Sequence, residues 1–320
     1  FIDNSGSLNS VAWHASKEGT DVRYLILKED KKIGEGLVEK VESLDEMIKW
    51  KPDVVVTYRA PEVNKQLDAA KLQHFGSSAI AKKLEDDRIF AARLVEQTKV
   101  GLLPETKRVS SINDAMEFGK IGRWVVKAEG NEVETSSTHI TDNLDHLMAT
   151  LEFEKKRGMN TFILQEFIDG VEISIEGWFD YRHGWVLPIN STLERKKLMS
   201  GDKGAFTGCM GSIVWLWNGS RPLLFRQTLE RLTTYLTKVQ YLGPIDGNYI
   251  IDYKSRRPHF LEFTPRLGWN AFEAFMTGLN GSISNFISDF AKGTLKLYSF
   301  IDQFATAVRL YTPTAIDLPL

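Results

Sequence analysis

Between Leu193 and Gly211 the chain reads LERKKLMSGDKGAFTGCMG, three consecutive basic residues running into a glycine-punctuated turn with an aspartate at its centre. Arg195, Lys196 and Lys197 supply positive charge. Gly201, Gly204, Gly208 and Gly211 let the backbone turn and bring N–H groups close to a ligand. Such a run is suited to holding an anion, and it also describes a solvated surface hairpin, so its meaning depends on the rest of the chain.

The elements that must position it read as a parallel sheet followed by an α+β region. Val22 to Leu27 and Asp53 to Tyr58 are strand-like runs flanking a helical spacing at Leu37 to Trp50, a rhythm that implies parallel strands. One helix is expected from Ser77 to Thr98, closed by Gly101 and Pro104. Strands at Trp124 to Ala128 and Phe162 to Phe167 bracket a helix around Asn143 to Glu154. Further strand patterns fall at Glu172 to Phe179, Trp185 to Ile189, Ser212 to Trp217, Tyr249 to Tyr253 and His259 to Phe263, with one amphipathic helix at Leu223 to Gln240.

Composition narrows the function classes. With 320 residues, 42% of them hydrophobic, the chain can bury two or three packed units. The single cysteine, Cys209, excludes a disulfide scaffold and any CxxC metal site and fits a reducing, cytoplasmic setting. The longest apolar runs are strand-sized, and the first residues lack a signal-peptide pattern, so neither a membrane span nor secretion is expected. Forty basic against 42 acidic residues offer no general field for nucleic acid. No GxxxxGK[ST] loop is present, and no GxGxxG follows the first strand, which argues against a P-loop kinase and a nicotinamide-dependent oxidoreductase.

The run ERKK, Leu198, Met199, Ser200-Gly201-Asp202, Lys203, GAFTGCMG resembles a stretch of the glycinamide ribonucleotide synthetases, ATP-grasp ligases in which it reads roughly DHKR, two residues, DGD, one residue, GPNTGGMG. Further matches follow in the family's order: FIDNSGSLNSVAWHAS with its Ala12-Trp13 pair, KPDVVVTYRAPEV, LEDDRIFAARLVEQTKVGLLPE, VVKAEG, LQEFIDGVEIS and HFLEFTPRLG. FATAVRLYTP is similar to the strand that opens the family's C-terminal domain. The resemblance implies an α/β chain with a Rossmann-like (pre-ATP-grasp) domain at residues 1–76 and an ATP-grasp domain at 77–275 whose small α+β lid spans about 107–168. A C-terminal segment at 276–320 would be an incomplete domain.

It also implies ATP and Mg2+ as cofactors and amide-bond formation through an acyl phosphate, joining an amino acid or other small acid to an amine. On this reading Arg88 and Lys127 contact the phosphates. Gln165, Glu166, Phe167 and Ile168 line the adenine, and Glu172 accepts from the ribose hydroxyls. Glu262 and Thr264 hold magnesium with help from Asn248 or Asp252 or from water, and Arg266 stabilises the transferring phosphoryl group, with Lys127 and Asp202 also in the catalytic set. Arg59, Arg195, Lys196, Lys197, Asp202, Phe206 and Thr207 line the substrate pocket.

Departures from the family pattern carry their own expectations. Arg88 stands where lysine is usual, Thr264 where asparagine is, and Phe206 replaces the asparagine of PNTGGMG. The lid loop reads Asn131 to Thr138 rather than glycine-rich, and the first turn, NSGSLNS, lacks the family's arginine and histidine. The amine is therefore expected to differ from phosphoribosylamine, while a nucleotide-like portion stays open. The alternatives are a non-catalytic nucleotide-binding relative and an ordinary phosphoribosylamine-glycine ligase of purine synthesis.

Overall fold

The computed structural model describes residues 1–28, 31–119, 122–129, 138–159, 161–201, 203–268, 270–295, 298–301 and 304–310. Two compact units form: Phe1–Val100 with Glu172–Tyr249 and Leu261–Leu320, and Gly101–Val171 with Ile250–Phe260.

In the first unit, Ile2–Asp3, Arg23–Ile26, Glu39–Lys40, Val55–Tyr58 and His74–Gly76 pair in parallel. Their spatial order is Glu39–Lys40, Arg23–Ile26, Ile2–Asp3, Val55–Tyr58, His74–Gly76. All but the edge strand Glu39–Lys40 are largely buried, as parallel strands covered on both faces require. The helix expected from Leu37 occupies only Leu44–Trp50. Ser43 caps it by accepting from the Glu46 N–H, and the expected helical stretch ahead of it holds a turn and the short strand Glu39–Lys40 instead.

The helix expected from Ser77 to Thr98 is two helices, Ala79–Asp86 and Arg88–Thr98. Asp87 breaks it: its backbone leaves helical angles (φ −93°, ψ 87°), and its carboxylate accepts from the Phe90 N–H to start the second helix. Similarly, Leu223 to Gln240 divides into Leu223–Gln227, a 3-10 turn Leu229–Leu232 and Thr233–Lys238, with non-helical Thr228 between.

A second sheet runs in the order Pro258–Thr264, Leu242–Asp252, Gly170–Asp180, Gly184–Met199, Lys203–Trp217, Phe304–Val308. The glycine-punctuated run is therefore the tip of a long antiparallel hairpin rather than an open loop, with Glu194 facing Ser212, Arg195 facing Gly211 and Lys197 facing Phe206. Phe304–Val308, similar to the opening strand of a further domain, lies antiparallel on this sheet, with Ala305 opposite Val214. Trp178 anchors the core, with Phe272, Phe275, Phe286 and Phe290 around it at ring-centroid distances of 4.8 to 6.0 Å.

The second unit is a four-stranded sheet ordered Thr106–Val109, Thr161–Glu166, Trp124–Glu129, Thr138–Thr141. Helices Ile112–Phe118 and Leu144–Lys156 cover it through a core that includes Val126, Leu147, Leu151 and Phe162. Among the described residues no helix is long and apolar enough to cross a membrane.

Candidate active site

Side chains alternate along a strand, so even-numbered residues of Gly170–Asp180 share a face: Glu172, Ser174 and Glu176. The neighbouring strand sets Thr192 opposite Ser174 and Asn190 opposite Glu176, and continues along that face with Glu194 and Lys196. Asn248 joins it from Leu242–Asp252, donating to Asp246 at 3.3 Å and to the Thr264 hydroxyl at 3.2 Å.

The Lys196 ammonium forms an ion pair with Glu172 and lies 3.6 Å from Glu194. Burial alone would lower the Lys196 pKa. The carboxylates of Glu172, Glu194 and Glu262 outweigh it and hold the ammonium firmly charged. Burial raises the Glu194 carboxyl despite Lys196. It pushes Glu176 up to about 8, and it lifts Asp246, which also faces Glu176 and Glu194, well above the usual carboxylate range. The face thus grades from a charged rim at Glu172, Lys196 and exposed Glu262 to a neutral interior at Glu176 and Asp246.

The three basic residues of the opening motif do not converge. Lys196 alone joins this face, because alternation directs Arg195 and Lys197 to the other side. Arg195 is exposed and donates to the Met199 carbonyl four residues further along its own strand. Thr207 supports Lys196 by donating to its carbonyl at 2.8 Å. Asp202 and the lid loop 131–137 lie outside the described residues, as does the Phe206 side chain.

Arg266 sits further along in the same unit, its guanidinium donating to Glu85 at 2.9 and 3.2 Å and to the Tyr58 hydroxyl at 2.9 Å. Burial would lower its pKa, but Tyr58, Glu85 and Glu262 together raise it. Arg59 lies 3.7 Å from the same Glu85. Arg88, the first residue of its helix, is exposed.

The turn after Ile2–Asp3 holds a residue that sequence reasoning missed. The buried Asp3 carboxylate accepts from the N–H groups of Ser5 at 3.0 Å, Gly6 at 2.7 Å and Leu8 at 2.9 Å, and from the Tyr24 hydroxyl at 2.6 Å. A Rossmann-type turn offers these donors to a ligand phosphate. Here they are already taken, which agrees with the missing GxGxxG in arguing against a dinucleotide.

In the second unit Lys127 donates to the Gln165 side chain at 3.1 Å. Glu166 N–H donates to the Glu105 carbonyl at 2.8 Å and Phe167 N–H to the Arg123 carbonyl at 3.0 Å. The Arg123 guanidinium stacks 3.9 Å from the Phe167 ring centroid. The main-chain N–H groups of Glu166 and Phe167, two of those expected at an adenine edge, are therefore engaged within the unit.

Among the described residues no group of three or more His, Cys, Asp or Glu side chains is arranged to hold a metal ion. Glu262 and Thr264 still suit magnesium brought in by a nucleotide, since that ion retains waters and takes phosphate oxygens in addition to one or two carboxylates.

A parallel N-terminal sheet, a four-stranded α+β unit and a sheet face lined by carboxylates and one lysine define an ATP-grasp protein. Solved structures share this fold. A phosphoribosylamine-glycine ligase from Thermotoga maritima aligns with a TM-score of 0.70 at 20% identity, covering 100% of this chain and 82% of that one. An N5-carboxyaminoimidazole ribonucleotide synthetase from Thermus thermophilus aligns at 0.66 and 15%, covering 96% and 82%. Residues 87–268 match the family described as phosphoribosylglycinamide synthetase, ATP-grasp (A) domain, and the chain belongs to that family. It is thereby an ATP-grasp carboxylate-amine ligase of the ADP-forming carbon-nitrogen type. Curated relatives are phosphoribosylamine-glycine ligases from Neisseria meningitidis, 23% identical over 92% of this chain and 74% of the relative, and from Leifsonia xyli, 26% identical over 69% and 53%.

Proposed function

We propose that the chain uses magnesium-ATP to activate a small carboxylic acid, an amino acid among them, and joins it to an amine other than phosphoribosylamine. The observation that carries this reading is the face centred on Lys196. Its charged rim, Glu172, Lys196 and Glu262, is made of residues that the family resemblance assigns to nucleotide, substrate and metal, and all three belong to one unit.

On this reading residues 1–76 act as the Rossmann-like domain, 77–275 as the ATP-grasp domain and 276–320 as a C-terminal segment, in a cytoplasmic protein. Lys127 and Arg88 neutralise phosphate charge. Glu172 accepts from the ribose hydroxyls once Lys196 is drawn off it towards a substrate oxyanion. Glu262 with Thr264 would hold magnesium, which supplies charge compensation to the phosphates when bound. Arg266, fixed by Glu85 and Tyr58, stabilises the phosphoryl group in transfer. Asp202 and Phe206 complete the acceptor side.

A non-catalytic nucleotide-binding role is favoured by one observation: the Thr264 hydroxyl already accepts from Asn248 and is a poorer magnesium ligand than a carboxamide oxygen. Phosphate release from ATP across a panel of acids and amines tests the ligase reading. Acid-dependent ADP formation is expected, and ATP binding without turnover for every pair would leave the binding role.

A further inference from the structure

The order of the parallel sheet reverses at Ile2–Asp3, so the loops leaving this strand and its neighbour Val55–Tyr58 diverge and open a crevice past their carboxyl ends. A cavity of about 380 Å³ lies there, lined wholly by residues of the first unit. Two features restrict what it can hold. The turn after Ile2–Asp3 has spent the amides of Ser5, Gly6 and Leu8 on the Asp3 carboxylate. In addition, the charges around the cavity nearly cancel. Lys28 lies 3.6 Å from Glu62, Lys82 pairs with Asp86, and Arg266 pairs with Glu85 at 2.9 Å. Four cations against three carboxylates leave one positive charge over, and Arg59 carries it. Arg59 is 55% exposed and shares Glu85 at 3.7 Å. Its backbone is left-handed, φ 51°, and the Asn4 side chain donates to its carbonyl at 2.6 Å.

We propose that this crevice holds the acceptor amine, and that the acceptor carries a single carboxylate bound by Arg59, as a free amino acid does, rather than a phosphate. The proposal rests on the ligase reading above. A guanidinium fork matches one carboxylate in charge and shape. A phosphate dianion would set its second charge against Glu62, Glu85 and Asp86, with the turn amides unable to help. In the step served, the acceptor nitrogen bonds the acyl carbon and the carbon–oxygen bond to phosphate breaks. Phosphate leaves with the electron pair, and the two protons lost by the ammonium pass to phosphate and water.

The test uses the full chain with magnesium-ATP. Hydroxylamine first traps acyl phosphate as hydroxamate across a panel of acids, which establishes acid activation without any acceptor. Free amino acids and phosphorylated amines are then compared as acceptors. We expect amino acids to be used, and Arg59→Gln to raise their KM about ten- to a hundredfold, with Arg59→Lys recovering part of the loss. Hydroxamate formation with a phosphorylated amine preferred over every amino acid overturns the crevice assignment and leaves the ligase reading standing, as does an amino-acid KM untouched by Arg59→Gln. Absence of hydroxamate with every acid, whether or not ATP binds, overturns the ligase reading and this proposal with it.

Discussion

Glu176 gives the sharpest prediction, because its carboxyl is 3% exposed and ionises near 8 instead of 4.5. Below pH 4.5 the folded and unfolded chains both hold this proton. Between 4.5 and 8 only the folded chain does, so the stability it contributes falls as pH rises, by about 1.4 kcal/mol per pH unit, and levels off above 8. From pH 4.5 to 7 the loss is about 3 kcal/mol, a large share of an ordinary domain's stability. Glu176→Gln keeps the size and removes the titration. Urea denaturation of both proteins at pH 5, 6, 7 and 8 should show the variant gaining on the wild type by roughly 1 kcal/mol per unit. Asp246, raised first by burial and then by the Glu176 and Glu194 charges, loses the Glu176 contribution in the variant, which adds a change of the same sign. A difference that stays constant with pH, or that moves in the wild type's favour towards pH 8, would refute the assignment of a neutral buried acid.

Lys127→Ala removes a charge-assisted phosphate contact and should weaken ATP binding about ten- to a hundredfold by calorimetry; unchanged affinity would take Lys127 out of the site. Glu262→Gln, at an exposed position, should abolish ADP release while leaving the urea midpoint in place. Gly76→Ala should destabilise by about 2 kcal/mol or more, measured by thermal unfolding, because Gly76 sits at φ 110° and an added Cβ would lie 2.1 Å from the Thr57 carbonyl oxygen.

The parallel rhythm of the first 75 residues was legible because Tyr24 to Ile26 and Val55 to Tyr58 are apolar runs that periodicity detects directly. The break at Asp87 was not, since LEDDR reads as continuous helix until the aspartate side chain is seen to cap the next turn. The motif ERKK pointed to the correct hairpin but not to its division, which strand alternation imposes on adjacent residues. Glu176, Asn190 and Asp246 escaped notice because charged and amide residues in an alternating strand normally mark the solvent face. Only tertiary packing shows that this face is covered. Asp3 was similarly hidden, one acidic residue ending a two-residue strand, although its proximity to the Ser5-Gly6 turn was the available signal.

The strand Gly170–Asp180 carries Glu172, Ser174 and Glu176 and, two residues further along the same face, the core anchor Trp178. It also lies in the interior of its sheet, flanked by Leu242–Asp252 and Gly184–Met199. Its amides should therefore exchange with solvent deuterium only through the largest cooperative opening of the unit, on the slow timescale of global unfolding. The floor of the site is then a fixed reference rather than a moving part. Protection gained on adding a nucleotide would register outside this strand, and exchange quickening within it would report loss of the whole unit rather than a step in catalysis.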